Sequence, residues 1–481
     1  MADRGSTTQG AAGGEQQTQL KRVMGPRLLL LFIVGDILGT GVYATTGGIA
    51  AEIGGAAWVP FLAAFVIALL TACSYLELVT KYPQAAGAAL YTHKAFGIHF
   101  LTFIVAFTVM CSGITSASTA SRLFAVNFND GFSLDLGGTG VLVIALAFMA
   151  VLGAINLRGV SDSVRLNVVL TLVEVSGLLL VIMIGIWAAF HGKADFSDVV
   201  VFDTAGDRNT FVAVTTATSL AFFSMVGFED SVNMAEETKD PVRIFPKVML
   251  TGLGITGAVY VLVSIIAVAL VPVGELEAAA EQSIILVAQT GAPSLPIDEI
   301  YPFIILFAVS NSALINMLMA SRLLYGMSRQ RVLPPFLGKV HPVRQTPWAA
   351  IIFTTVLAFG LITYVVVITT RNPETSAIDI LAGTTALLLL AVFAVVNIAV
   401  LVLRRDPVEG KHFRTPTIVA VVGALACAYL VTPLSGRPAE QYQVAGLLLG
   451  IGVVLWAITW FANRALRADR TFVRDPTDLS G

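Results

Sequence analysis

Apolar runs of about 20 residues, the length a helix needs to cross roughly 30 Å of hydrocarbon, recur twelve times along this 481-residue chain. Six lie at approximately 28–49, 56–79, 98–126, 138–157, 166–190 and 210–235, and six more at approximately 246–271, 300–327, 347–370, 377–403, 416–434 and 442–463. In lipid a spanning segment must satisfy its own backbone hydrogen bonds, so runs of this length read as helices. The pattern predicts an all-α integral membrane protein with 12 transmembrane helices. Composition agrees, because only 12% of residues are charged, about half the share of a soluble domain, and a mean hydropathy of +0.83 leaves too little polar residue to coat a globule. A net charge of -2 argues against a nucleic-acid partner, whose binding would need excess positive charge. Cys73, Cys111 and Cys427 sit inside apolar runs with neither disulfide nor metal-ligand spacing, so no metal or cofactor is expected.

Twelve crossings put both termini on one side, and the basic residues say which. Of the 29 Lys and Arg, 23 fall in the N-terminal tail, the even-numbered connections and the C-terminal tail. The odd-numbered connections hold only Lys193, Arg208, Arg371 and Arg437, while Arg122 and Arg322 lie within spans. Lys and Arg are retained in the cytoplasm, so both termini are expected to be cytoplasmic and the chain to sit in the cytoplasmic (plasma) membrane. Residues 1–27 read as a disordered tail without a signal peptide, and 466–481 as a second cytoplasmic tail. The connections near 191–209 and 272–299 are too short for a soluble domain.

Two spans carry interruptions. Span 1 has Gly39, Thr40 and Gly41 at its middle, with Asp36 one turn earlier; span 6 has Gly227 followed by Phe228, Glu229 and Asp230. Glycine costs about 1 kcal/mol in a helix interior, and carboxylates at membrane depth are costly. The small residues of span 1 also suit close helix packing. The two spans correspond if the first ten helices form two repeats of five, and paired Gly-interrupted spans are the best sequence pointer to a transporter site. An unwound centre offers amides at a half-helix N-terminus to a carboxylate and carbonyls to an ammonium. A free amino acid carries both groups.

Residues 34–43 (VGDILGTGVY), 222–247 (FFSMVGFEDSVNMAEETKDPVRIFPK), 321–347 (SRLLYGMSRQRVLPPFLGKVHPVRQTP) and 81–97 (KYPQAAGAALYTHKAFG) resemble the amino acid-polyamine-organocation superfamily, close to its bacterial amino acid permeases and cationic amino acid transporters. With the span count, the resemblance covers almost all of 25–465. It implies a leucine-transporter-like fold: a ten-helix, five-plus-five inverted-repeat transport core over 28–403 and two appended helices over 404–465. Two departures stand out. The loop after span 8 has Arg329-Gln330-Arg331 where relatives carry Arg-Asp-Gly, and Glu174 occupies the place in span 5 where many proton-coupled relatives carry a Lys.

The resemblance implies a substrate site at Leu38, Gly39, Thr40, Gly41, Ser112, Phe222, Phe223, Val226 and Gly227, with carbonyls near Phe222, Phe223 and Val226 taking the ammonium and Phe223 closing over the substrate. Glu174 and Glu229 are the coupling or gating candidates. Glu229 reads equally as a cap on the second half-helix, and Glu174 as a structural ion pair or hydrogen bond. Asp36 is expected to pair with Arg322 or another polar group, and Arg122 to be interfacial. Ser310, Asn311, Thr384 and Thr385 are polar enough to shape a pocket, though such residues also join helices. His93 and His99 fit no metalloprotease pattern and no ATP-binding loop is present, so no enzymatic activity is expected. The reading is a secondary active amino acid transporter, a monomer or homodimer, working as a proton symporter or as an antiporter. A polyamine or other organic-cation carrier, using Glu174, Glu229 and Asp230, is the rival within transport. A ligand-binding sensor of the same fold is the rival outside it.

Overall fold

The computed structural model describes residues 22, 24–84, 87–158, 163–204, 209–371, 376–408 and 410–465. Most of the expected N-terminal tail and the whole C-terminal tail lie outside them. Span 1 is two helices, α1 (Pro26–Leu38) and α2 (Gly41–Ile53), and span 2 is α3 (Trp58–Lys81). A short α4 (Gly87–Phe96) precedes spans 3, 4 and 5, which are α5 (His99–Gly131), α6 (Gly138–Arg158) and α7 (Ser163–Phe190). Span 6 starts as α8 (Thr210–Ala221) and continues as two 3-10 segments, Phe222–Met225 and Asp230–Glu237. Span 7 is α9 (Pro241–Leu270), and its connection to span 8 folds into α10 (Val273–Ala279) and α11 (Ser283–Gly291). Spans 8 to 12 are α12 (Ile297–Arg329), α13 (Trp348–Arg371), α14 (Ala377–Leu403), α15 (Thr417–Val431) and α16 (Ala439–Ala465).

The protein is all-α, with eleven spans long and apolar enough to cross a membrane and one shorter. The shorter one is span 11, whose 15 residues end earlier than the apolar run because Pro433 opens a 3-10 turn over Pro433–Ser435. Local chemistry sets several starts. Asn209 accepts from Phe211 N–H at 2.9 Å at the head of α8, Ser376 accepts from Ile378 and Asp379 N–H at the head of α14, and Pro26 and Pro241 occupy first-turn positions where no amide is needed.

The packing follows a two-fold scheme. Spans 1 and 6, 2 and 7, 3 and 8, and 4 and 9 each pack on their counterparts, and five crossings per set make the second set run opposite to the first. Spans 3 and 8 are 33 residues each, about 50 Å of helix, and form the most extensive pair. Spans 11 and 12 lie against the outside of this core, α15 on α14 and α3, α16 on α14 and α5.

Polar ties join these layers where lipid supplies no partner. Asn397 on α14 accepts from Ser74 at 2.6 Å and donates to Thr71 at 3.0 Å, both on α3. At one end of α3, the buried Glu77 takes both Arg404 Nε (3.2 Å) and Nη2 (3.1 Å) and the Thr415 amide at 2.8 Å, while Lys81 donates to the carbonyls of Leu403 and Asp406. The connection between spans 10 and 11 is thereby clasped to span 2. Removing one partner of such a pair strands a buried charge at a cost of about 3–5 kcal/mol. Arg404→Met is therefore expected to lower the thermal unfolding midpoint in detergent more than the double variant Glu77→Gln/Arg404→Met does.

Candidate functional site

Both sequence interruptions are real breaks, and they touch. α1 ends at Leu38 and α2 restarts at Gly41, while span 6 leaves helical geometry between Met225 and Asp230. Gly227 adopts φ +125°, and a Cβ there would lie 2.8 Å from the carbonyl carbon and oxygen of Asp36. A Cβ on Gly41 would lie 2.4 Å from Ser224 Cα. Glycine at these two positions lets the backbones of the two breaks pack directly on one another. Ser224 Oγ and Thr45 Oγ1, 3.2 Å apart, add a side-chain link.

Each break leaves backbone groups to satisfy. Tyr260 on α9, fully buried, donates to the carbonyls of Ile37 (2.6 Å) and Leu38 (2.9 Å), two of the last carbonyls of α1. Glu229 folds back so that its Oε2 accepts from Gly227 N–H at 2.9 Å. The capping alternative for Glu229 thus has a direct counterpart, except that the amide belongs to the break and not to the 3-10 segment that follows. Nothing comparable occupies the head of α2, where Thr40 makes no capping hydrogen bond and the first-turn amides have no acceptor within their own helix.

Three adjoining clefts run from this junction. The first is bordered by Asp36, Thr40, Gly41, Phe223, Val226 and Gly227 of the broken spans, with Ser116 from α5 and Ser312 and Asn316 from α12. The second continues past Ser112, Val226, Glu229 and Asp230. The third reaches Tyr75, Gly87 and Asn233 beside α4. Asp230 borders all three. At the other end of the bundle α10 and its following turn lie over α2, the carbonyl of Ala280 only 2.6 Å from where a Gly47 Cβ would be.

Thr40, Gly41, Phe223, Val226 and Gly227 therefore meet at one cleft, and Ser112 and Glu229 at the next. Ser112 turns its hydroxyl to Val109 O at 2.7 Å. Gly39 sits beside Ser312, whose Oγ is 3.0 Å from the position of a Gly39 Cβ. Leu38 and Phe222 are buried and border none of these three clefts; the Phe222 ring packs edge-on against Phe393 instead. Glu174 is also away from the clefts, fully buried, and neither carboxylate oxygen has a hydrogen-bond partner. The structural bond considered for it is not made; Asp36, Tyr43 and Tyr260 lie within range of its charge.

Asp36 does not pair with Arg322, which is exposed, and its Oδ2 has no hydrogen-bond partner. Arg122 is half-buried, with Glu281 of the connection between spans 7 and 8 as the acid acting on it. Ser310 and Thr384 bond back to their own helices, while Thr385 reaches across to Thr115 on α5 at 2.7 Å and so joins spans 3 and 10. On α12 it is Ser312 and Asn316 that face the site. The signal for these was the spacing of four that Ser312 and Asn316 share with Ser112 and Ser116 on α5, which places each pair on one helix face. Tyr260 gave no sign in the sequence, being one aromatic in an apolar run.

The sequence profile of the amino acid permease family matches residues 27–458. The chain belongs to the amino acid permease family. Among its relatives is a branched-chain amino acid permease of Bacillus subtilis, 26% identical over 92% of this chain and 93% of the relative. A methylthioribose transporter of the same organism is 28% identical over 87% and 89%. The chloroplastic cationic amino acid transporter 9 of Arabidopsis thaliana is 27% identical over 70% of this chain and 60% of its own. The fold is shared with a manganese transporter of Eremococcus coleocola at a TM-score of 0.59 and 12% identity, covering 92% of this chain and 94% of that one.

Two substitutions test how this permease holds its breaks together. Gly227→Ala forces a side chain into a conformation costing about 1–3 kcal/mol and against the Asp36 carbonyl, so the unfolding midpoint is expected to fall and ligand-induced stabilisation to vanish. Tyr260→Phe leaves two buried carbonyls without their donor, about 1–3 kcal/mol, readable as a lower midpoint in the same detergent assay.

Proposed function

We propose that this permease is a secondary active transporter of amino acids, working by alternating access around the junction of spans 1 and 6, with both termini in the cytoplasm. The observation that carries the reading is the direct contact of two broken helices, Gly227 against the Asp36 carbonyl and Gly41 against Ser224, at a point bordered by an open cleft. The substrate carboxylate is taken by the amides of Thr40, Gly41 and Val42 at the head of α2, where the helix dipole favours an anion. Glu229 already holds the Gly227 amide, so the anion has one break to choose. The ammonium is taken by carbonyls around Phe222, Phe223 and Val226, and Phe223 closes the cleft. Relatives named for branched-chain and cationic amino acids and for methylthioribose support a small organic solute.

Coupling to protons is placed at Glu174 and Glu229. Glu174 is fully buried with neither carboxylate oxygen hydrogen-bonded, the kind of intramembrane carboxylate that proton-relay sites use. Exchange of one amino acid for another uses the same site without a proton.

Purified protein in liposomes, given a panel of labelled amino acids with and without imposed proton and sodium gradients, tests both statements. At least one amino acid is expected to accumulate several-fold more under an inward proton gradient. Glu174→Gln is expected to abolish the gradient's effect while leaving exchange of internal for external substrate. Ligand binding in detergent with no flux under any gradient would point to a sensor.

A further inference from the structure

We propose that Asp36 is the port through which a coupling proton reaches Glu174: it takes the proton from water in the first cleft and passes it across the interface of spans 1 and 5 by way of the Thr171 hydroxyl. The proposal deepens the proton-coupling reading above and rests on it for the role of Glu174.

Glu174 poses a problem of access. It is fully buried and borders none of the three clefts, and protons cross a helix bundle along chains of acids and other polar groups. Such a chain is present beside it. Asp36 borders the first cleft, is 6% exposed, and its Oδ2 has no hydrogen-bond partner. Span 1 packs on span 5 next to this residue, where a Cβ on Gly35 would collide with the Thr171 side chain. Thr171 and Glu174 are three apart on α7 and share one face of it. Gly177 follows on that face, where a Cβ would lie 3.5 Å from the Tyr43 hydroxyl of α2. Glu174, midway between a contact with α1 and a contact with α2, is thus set against the break in span 1.

Thr40 Oγ1 at the cleft, Asp36 Oδ2, Thr171 Oγ1 and both Glu174 oxygens are buried and without partners. A buried polar atom without a partner calls for an explanation, and a series of them leading from a cleft to an isolated acid is explained by a proton that moves along it. Asp36 has no structural tie to account for it instead: Arg322 is exposed, and the last turn of a helix is no place to steady an anion. Glu229 is the poorer port because its Oε2 already accepts from the Gly227 amide. The other titratable groups facing the pair are Asp230 of span 6, Tyr43 of α2 and Tyr260 of α9. None is a cation that would hold either acid in an ion pair, and Tyr260 spends its hydroxyl on the Ile37 and Leu38 carbonyls.

The transfer balances. Asp36 gives its carboxyl proton to the Thr171 oxygen, which gives its own hydrogen to Glu174, so Thr171 ends unchanged and Asp36 is a carboxylate until cleft water recharges it. The net result is one proton taken from water and one added to Glu174. Substrate filling the first cleft then cuts Asp36 off from water, so a proton loaded before the substrate stays until the substrate leaves. On the other side of the membrane the steps run backwards, and one proton accompanies each amino acid.

The test is hydrogen–deuterium exchange of the purified full chain, followed by infrared spectroscopy. The carboxylic acid band lost in Glu174→Gln belongs to Glu174, and its shift after transfer to D2O times proton access. Asp36→Asn and Thr171→Val are each expected to slow that shift about tenfold or more. Asp36→Glu, which keeps a carboxyl at the cleft, is expected to stay within about threefold of wild type, a rescue that a merely structural Asp36 does not produce. In the liposome panel, Asp36→Asn is expected to lose the proton gradient's effect as Glu174→Gln does, and the double variant to be no worse than either. Should Asp36→Asn fail to fold, Thr171→Val decides on the same band. An unchanged exchange rate in the deciding variant, no acid band lost in Glu174→Gln, or proton-driven accumulation that survives in Asp36→Asn but not in Glu174→Gln would overturn the port. Slowed exchange in Asp36→Asn combined with wild-type uptake indifferent to a proton gradient would instead count against proton coupling and leave the port standing.

Discussion

A backbone amide or carbonyl without a partner costs several kcal/mol in hydrocarbon, so a membrane helix can be broken only where something else replaces the lost hydrogen bonds. Everything distinctive about this permease follows from how spans 1 and 6 meet that demand. Their breaks are placed face to face, so each shields the other from lipid, and the freed groups are met by Tyr260 from span 7 on one side and by Glu229 from within span 6 on the other. What remains uncommitted is the head of α2. The proposed solute site is what this incomplete repair leaves, and the surrounding spans 3 and 8, with Ser112, Ser116, Ser312 and Asn316, border the clefts beside it.

How much of this was legible varied with the physics behind each feature. Twelve spans could be read from hydropathy because lipid imposes a length that no soluble helix needs; the one departure, α15, shortened where Pro433 redirected the chain. The breaks were legible because glycine in a buried helix has a cost that calls for a reason. Facing was not. Leu38 and Gly39 adjoin in sequence, yet Leu38 turns into the core and Gly39 toward Ser312, a rotation of one residue that no composition encodes. Asp36 was misjudged for a related reason: its expected partner Arg322 was close enough in span order but lies on the exposed side of α12. Glu174 could be placed in the bundle core from its neighbours, but its isolation from every donor is a property of packing alone.

The appended spans 11 and 12 are less separate from the transport core than their position in sequence suggests. Arg437, counted from sequence among the few basic residues of the odd-numbered connections, is buried. It donates to the carbonyls of Leu430, Gly383 and Ser219 and to the Gln441 side chain. Burial pushes its guanidinium down to about 10, still cationic at neutral pH. Ser219 lies in the last turn of α8, just ahead of the span 6 break. Thr215 and Thr216 in turn donate to Ser435 O. The turn between spans 11 and 12 is therefore grafted onto the half of span 6 that precedes the site, and a positive charge sits at the helix end where carbonyl dipoles favour it.

The opposite halves of the two broken spans are joined by a different device. Just before α1, Met24 donates its amide to Glu237 O at 3.0 Å and accepts from Lys239 N–H at 3.1 Å, a one-residue strand pairing at the far end of span 6. α1 and the Asp230–Glu237 segment thus form a closed loop, linked at the junction by Gly227 and Asp36 and at the tail by Met24. A loop fastened at both ends tilts as a single lever. Any displacement of the Asp230–Glu237 segment is therefore transmitted to α1 at both of its ends.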